Sequence, residues 1–252
     1  MKISLKGKVA LVTGGSRGIG EGICKALGES EATVAIHFNQ NVSKAETLAA
    51  QIGNRSKAFQ ADLSNTASIT NLFKQVKEHY GKVDVLVNNA GVAISSAMNG
   101  DDEDWVSDWN QMFAVNALAT GLLCKKAVNH MQTIGGGRII NISSRAAFRG
   151  DTEDYLAYGA SKGAVVSLTR TIARYYGKQN IMAFNIAPGF VRTDMAQDFM
   201  DQYGEDYALN DIALNKLTEP KDLAPTVVFL ASGLADHATG STIDINAASY
   251  VH

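Results

Sequence analysis

Val9-Ala10-Leu11-Val12-Thr13-Gly14-Gly15-Ser16-Arg17-Gly18-Ile19-Gly20 is the stretch on which the fold turns. A short apolar run, Val9–Thr13, reads as a buried strand. It passes without a linker into a glycine-rich turn, and the next residues, Gly18–Leu27, take up helical period. Glycines in such a turn let the backbone approach a pyrophosphate closely. The helix that follows adds unpaired N–H groups and the positive end of its dipole. A glycine loop by itself is weak evidence, so its place directly after the first strand carries the weight.

The same alternation runs through the chain. Apolar runs at Thr33–His37, Lys57–Gln60, Val83–Asn88, Arg138–Ile142, Met182–Ile186 and Thr242–Ile245 are separated by helical segments at Lys44–Ile52, Ile69–Tyr80, Trp105–Met131, Tyr158–Tyr176 and Asp222–Ser232. Runs such as Val83-Asp84-Val85-Leu86-Val87 are nearly continuous in apolar residues, as expected when helices cover both faces of a sheet. The fold class expected is therefore α/β: one Rossmann-type, doubly wound parallel sheet of about seven strands. No composition break divides residues 1–252, so one domain is expected. The long polar segment at 193–217 follows Pro188-Gly189 and leaves a strand's carboxyl end. A loop of that length reads as a substrate lid.

Bulk composition excludes several classes. With 23 Lys and Arg against 25 Asp and Glu, the formal net charge is −2, without the basic footprint that nucleic acid requires. No apolar stretch approaches a bilayer span, and the first residues lack the apolar core of a signal peptide, so no membrane partner and a cytoplasmic location are expected. Cys24 and Cys124 fall in helical segments with no CxxC, which suits buried free thiols in a reducing compartment. The five histidines (His37, His79, His130, His237 and His252) show no ligand spacing, and no metal site is expected. Asp101-Asp102-Glu103-Asp104 reads as a solvated acidic turn before a helix.

Tyr158-Gly159-Ala160-Ser161-Lys162 sets a phenol and an ammonium one helical turn apart. A nearby cation favours phenolate, which would bring a group that ordinarily titrates near 10 toward acid–base work. With 8 tyrosines in the chain, about half an occurrence of this spacing arises by chance, so context has to decide.

The ordered set of motifs supplies that context. Thr13–Gly20 as TGxxxGxG, Asn88-Asn89-Ala90-Gly91, Asn116, Asn141-Ile142-Ser143-Ser144, Tyr158-x-x-x-Lys162 and Pro188-Gly189 together resemble the short-chain dehydrogenase/reductase family. The resemblance runs from about Gly7 to about Ile245. It implies hydride transfer between a nicotinamide cofactor and a small carbonyl or alcohol. Tyr158 would be the acid/base, Lys162 would position the ribose and depress the Tyr158 pKa, Ser144 would hold the substrate oxygen, and Asn116 would anchor a relay water. The same comparison implies that Gly14, Ser16, Arg17, Gly18, Ile19 and Gly20 cradle the cofactor phosphates and that Asp62 and Leu63 meet the adenine. Asn88 would lie near the ribose beside small Ala90 and Gly91, and Pro188, Gly189, Val191 and Thr193 would line the nicotinamide, together with Tyr158 and Lys162. Ser143 is the better candidate for a purely structural strand-end cap.

An NAD-preferring fold places an acid at the end of its second strand, where this chain reads Phe38-Asn39-Gln40, with Phe38 in the acid's place. That absence, with Arg17 in the loop and Asn39 nearby, favours NADP; NAD is the alternative. The stretch from Arg192 to Thr218 is similar to that of 3-oxoacyl-carrier-protein reductases, although His130 and Gln179 stand where those enzymes often carry docking arginines. A 3-oxoacyl group or another small ketone is the implied substrate, a homotetramer the implied assembly. Alternatives are an NAD-linked alcohol or sugar dehydrogenase and a non-catalytic cofactor sensor; a sensor typically loses the Tyr, Lys or Ser that are all present. One departure stands out: Asn246-Ala247-Ala248 replaces the Asp-Gly-Gly of many members, which bears on turn geometry and subunit packing rather than on chemistry.

Overall fold

The computed structural model describes residues 3–193 and 205–251. Among these, seven strands form one parallel sheet: β1 (Val9–Val12), β2 (Thr33–Phe38), β3 (Lys57–Gln60), β4 (Val85–Asn88), β5 (Gly137–Ile142), β6 (Ile181–Pro188) and β7 (Thr242–Ile245). Their order is β3-β2-β1-β4-β5-β6-β7. The order reverses between β1 and β4, and in an open α/β sheet a ligand crevice forms beyond the strand ends at such a point.

Side chains along each strand alternate between two cores, the period-2 consequence of the pleat. Ala10 and Val12, with Val34, Ile36, Val87 and Ile140, face α1 (Gly18–Glu29), α2 (Val42–Ile52) and a late helix at Pro220–Ala231. Leu11, Ala35, Leu86, Ile139 and Ala183 face the opposite layer of α3 (Thr66–Tyr80), α5 (Ala119–Thr133) and α7 (Leu156–Tyr176), the last preceded by a one-turn helix α6 (Ala146–Arg149). Cys24 and Cys124 are buried free thiols on α1 and α5, and burial pushes both pKa values up, that of Cys124 to about 12.

Local signals place the helix starts. Asn65 caps α3 by accepting from Ser68 N–H, so the helix begins at Thr66, three residues before the expected start. Asp101 caps α4 (Asp102–Met112) through Glu103 N–H, and the remaining acids occupy its first turn, where the helix dipole favours them.

The single helix expected over Trp105–Met131 is corrected. It divides into α4, a π-helical turn at Phe113–Leu118, and α5. The wide turn admits an extra residue where Asn116, buried at 1% exposure, turns inward to satisfy its amide. Of the polar segment at 193–217, expected to form a lid, a short helix α8 (Glu205–Asn210) and the run to Thr218 are described, whereas 194–204 lies outside the described residues. The last helix is then α9 (Pro220–Ala231), opened by Pro220 at its first position and a Glu219–Asp222 capping box.

Candidate active site

The crevice at the strand ends gathers the motif residues. On its first wall, Thr13 Oγ1 accepts from both Asn89 N–H and Ala90 N–H at 3.0 Å, and the Asn89 amide donates to the carbonyls of Thr13 (3.0 Å) and Gly14 (3.1 Å). The turn after β1 is thus tied to the turn after β4. Arg17 stands at the N-cap of α1 with no side-chain cap, leaving the first N–H groups of that helix to face the turn. A Cβ on Gly18 would come within 3.1 Å of Thr193, so the glycine turn and the far end of the crevice meet there. Ser16 and Ile19 are partly buried on this wall, and Gly20 is buried against it.

Asn88 departs from its expected place. Its amide turns into the core, donating to Asn141 Oδ1 at 2.8 Å and to Cys124 Sγ at 3.3 Å. Only its backbone and the following Asn89-Ala90-Gly91 reach the crevice. The cause is register: Asn88 pairs with Asn141 on β5, which pairs with Asn185 on β6, placing three buried amides side by side on the helix-facing layer. Buried amides are costly unless hydrogen-bonded: the Nδ2 groups of all three donate, to Asn141 and Cys124, to Thr169, and to Ser143 and Thr242 respectively.

On the second wall, Ser143 and Ser144 have different partners. Ser143 accepts from Asn185 at 2.8 Å and donates to Ile186 O at 3.1 Å, a structural role. Ser144 Oγ accepts from Ala146 N–H at 3.1 Å and also hydrogen-bonds the Tyr158 phenol. Tyr158 lies in the first turn of α7. Lys162, one turn on and 5% exposed, donates from Nζ to Ile142 O at 3.1 Å and sits 5.8 Å from the Tyr158 ring centroid.

The electrostatics run opposite to the expected depression of the phenol. Burial pushes Tyr158 up to about 12, with the Ser144 hydrogen bond and Arg145 pulling the other way and Asp151 adding to the rise. Burial also brings Lys162 down to about 8. Desolvation is the largest cause for both groups, and the Lys162 ammonium donates to a main-chain carbonyl.

Asn116 is fully engaged: its Oδ1 accepts from Val92 N–H at 2.8 Å, and its Nδ2 donates to Val92 O (2.9 Å) and Ser161 Oγ (3.0 Å). Ser161 in turn donates to Tyr158 O at 2.8 Å. A Cβ on Gly91 would lie 3.1 Å from Lys162 Nζ and 3.2 Å from Asn116 Oδ1, so these groups converge on a place that only glycine leaves open.

The remaining predicted residues are distributed along the rim. Asn39 is exposed at the end of β2, its carbonyl accepting from Gln60; Phe38 is buried at 6% exposure. Asp62 caps its own turn through Ser64, whose two hydrogen bonds hold the carboxyl low, and Leu63 is buried. Pro188 O accepts from Arg145 N–H at 2.9 Å and Gly189 N–H donates to Ile245 O at 3.1 Å. Val191 forms an isolated parallel bridge with Thr218.

Sequence reasoning missed Thr13, Asn89 and Ser161, all inside motifs that it quoted. It also missed Arg145. This guanidinium stacks 4.5 Å over Phe190 and pairs with Asp211, which Arg149 also meets, so the stretch around Asp211 is fastened to the chain next to Ser144. Ala213 N–H donates to Ala247 O at 2.8 Å, a second fastening. Among the described residues no group of His, Cys, Asp and Glu could hold a metal ion, and no helix is long and apolar enough to cross a membrane.

A parallel α/β sheet with a glycine turn at its switch point, beside a buried Ser–Tyr–Lys set, defines the class of Rossmann-type oxidoreductases. Comparison with known proteins places the chain within it. The sequence profile of the short chain dehydrogenases matches residues 8–204, and the chain belongs to that family. A 3-oxoacyl-[acyl-carrier-protein] reductase FabG from Vibrio cholerae is 32% identical over 249 residues, covering 99% of this chain and all of that protein. A dehydrogenase/reductase from Sinorhizobium meliloti superposes with a TM-score of 0.92 at 33% identity, covering 99% and 98% of the two chains. A short chain dehydrogenase from Burkholderia cenocepacia, solved in complex with NADP, gives 0.90 at 32% identity over 97% and 98%.

Proposed function

We propose that this oxidoreductase reduces a ketone, a 3-oxoacyl group or another small carbonyl, to a secondary alcohol with NADPH, and that Tyr158 donates the proton. The observation that carries the reading is the Ser144–Tyr158–Lys162 set: Ser144 hydrogen-bonds the Tyr158 phenol, and the buried Lys162 lies one turn on, 5.8 Å from the Tyr158 ring.

The residues fit a nicotinamide dinucleotide. The turn after β1 meets a helix start without a side-chain cap, which suits a pyrophosphate. The absence of an acid at the end of β2, with Arg17 exposed on the loop, suits a 2′-phosphate. The NADP found with the Burkholderia relative supports the same choice. Such a cofactor, when bound, supplies the hydride that reaches the carbonyl carbon. Ser144 holds the carbonyl oxygen, and the Tyr158 O–H gives that oxygen its proton, so the C=O becomes H–C–O–H. A phenol pushed up to about 12 stays protonated at neutral pH, the form a donor needs. Lys162, at about 8, remains mostly charged there and restores the proton from beyond. Asn116 binds Val92 and Ser161 near that ammonium, and its side chain is spent on those contacts.

Docking of a carrier protein has little to recommend it. Arg138 is paired with Asp236, and His130 accepts from Val83 N–H at 3.1 Å, so neither is presented to a partner.

Rates with NADPH and NADH across a panel of carbonyl substrates, followed by absorbance, test the reading; equal or faster turnover with NADH removes the NADP preference. Tyr158→Phe is expected to lower kcat by about a thousandfold with cofactor affinity nearly intact. Surviving activity in that variant would end the Tyr158 assignment.

A further inference from the structure

His37 has no metal-ligand spacing, yet both of its ring nitrogens and its main-chain carbonyl are engaged at the crevice. It lies near the end of β2 at 2% exposure. Its Nδ1 accepts from Gly14 N–H at 3.0 Å and its Nε2 stands 3.1 Å from Ala61 O. Its main-chain carbonyl accepts from Gly15 N–H at 2.9 Å. One residue therefore orients two consecutive amides of the glycine turn on one side. On the other side it grips the end of β3, immediately before Asp62 and Leu63.

The partners decide the tautomer. Gly14 aims a proton at Nδ1, so that nitrogen carries the lone pair and the ring proton resides on Nε2, where Ala61 O accepts it. Imidazolium has no acceptor and would confront Gly14 N–H with a second donor. Burial keeps the ring neutral, bringing its pKa down to about 4. Gly14 itself lies in the left-handed region at φ +61°, a conformation the turn needs, and the ring is what holds its N–H away from the crevice.

We propose that His37 is a positioning residue for the adenosine and pyrophosphate half of the cofactor, its neutral ring spacing the glycine turn from the end of the third strand. The proposal rests on the nicotinamide reading above. It goes beyond it in assigning the geometry of the phosphate turn to a side chain that need not touch the cofactor.

The test measures NADPH binding and the kcat and KM for NADPH in wild type, His37→Asn, His37→Gln and His37→Leu. Asparagine can place an acceptor near the Nδ1 position and so keep the Gly14 contact. Glutamine reaches the Nε2 position and keeps only the Ala61 contact. Leucine keeps neither. The expected result is a Kd and KM for NADPH raised about tenfold in the Leu and Gln variants and within about threefold of wild type in the Asn variant, with kcat at saturating NADPH changed by less than about twofold throughout. If the Leu variant does not fold, the contrast between Asn and Gln decides. Equal affinities in those two variants, or a fall in kcat with affinity unchanged, overturns the proposal. A wild type that binds neither NADPH nor NADH overturns the cofactor reading and this proposal together, whereas tight wild-type binding with unresponsive variants overturns this proposal alone.

Discussion

The two halves of the crevice are held together by different means. Around β1, β2 and β3 the fastenings are main-chain groups satisfied by neutral side chains: Thr13, Asn89 and His37 each bind two or more backbone groups. Around β5, β6 and β7 they are charges and strain. Arg145 and Arg149 converge on Asp211, and Ala247 and Ala248 take φ values of 52° and 59°. Such angles cost a residue with a Cβ about 1 kcal/mol or more. The first half is a fixed cradle. The second is held by contacts that come at a cost, and strain of that kind is commonly stored at functional sites.

The contrast can be attacked from either side. The largest effect is expected from pH acting on the neutral half. The folded pKa of His37 is about 4 against an ordinary 6.5, so the unfolded chain binds more protons between those values. The stability this contributes is present above pH 6.5 and is lost as pH falls to about 4, a difference on the order of 3 kcal/mol. Thermal melts of wild type and His37→Asn between pH 7 and 4 should converge as pH falls; parallel curves would mean that His37 is not held neutral. Next comes Gly91→Ala. The added methyl at 3.1 Å from Lys162 Nζ should displace the ammonium and lower kcat about tenfold, with a stability cost of about 1 kcal/mol. Unchanged kcat would remove Lys162 from the proton path.

On the charged half, Arg145→Ala breaks the partly buried pair with Asp211 and is expected to destabilise by about 1 kcal/mol while raising substrate KM more than cofactor KM. An effect on cofactor KM alone would erase the distinction between the halves. The smallest effect runs the other way: Ala247→Gly and Ala248→Gly should each stabilise by up to about 1 kcal/mol, offset in part by glycine's freedom in the unfolded chain. Melting temperatures read this directly, and a fall in both variants would show that the alanine side chains pack productively.

Much of the first half was legible because its chemistry is local. TGxxxGxG is a strand, a turn and a helix start in one continuous stretch, and spacing alone reports it. Ser144 was singled out over Ser143 by its match to the family motif, not by local physics. Arg145 was hidden because its partners Phe190 and Asp211 lie 45 and 66 positions away, and nothing in the local pattern links them. Asn88 was misplaced because a motif says which residue is present and not which face it takes; register against Asn141 settles that.

By itself the sequence determined the alternating strands and helices, the two-sided burial of the sheet, the family and the roster of chemical groups, since each is written in short-range period and spacing. Only the tertiary structure decided that the helix through Asn116 opens into a π turn, that Tyr158 is raised rather than lowered, and that the residues in place of Gly-Gly adopt left-handed angles. Those outcomes depend on desolvation and on which distant groups meet. Both are properties of the assembled core, and no window of residues contains them.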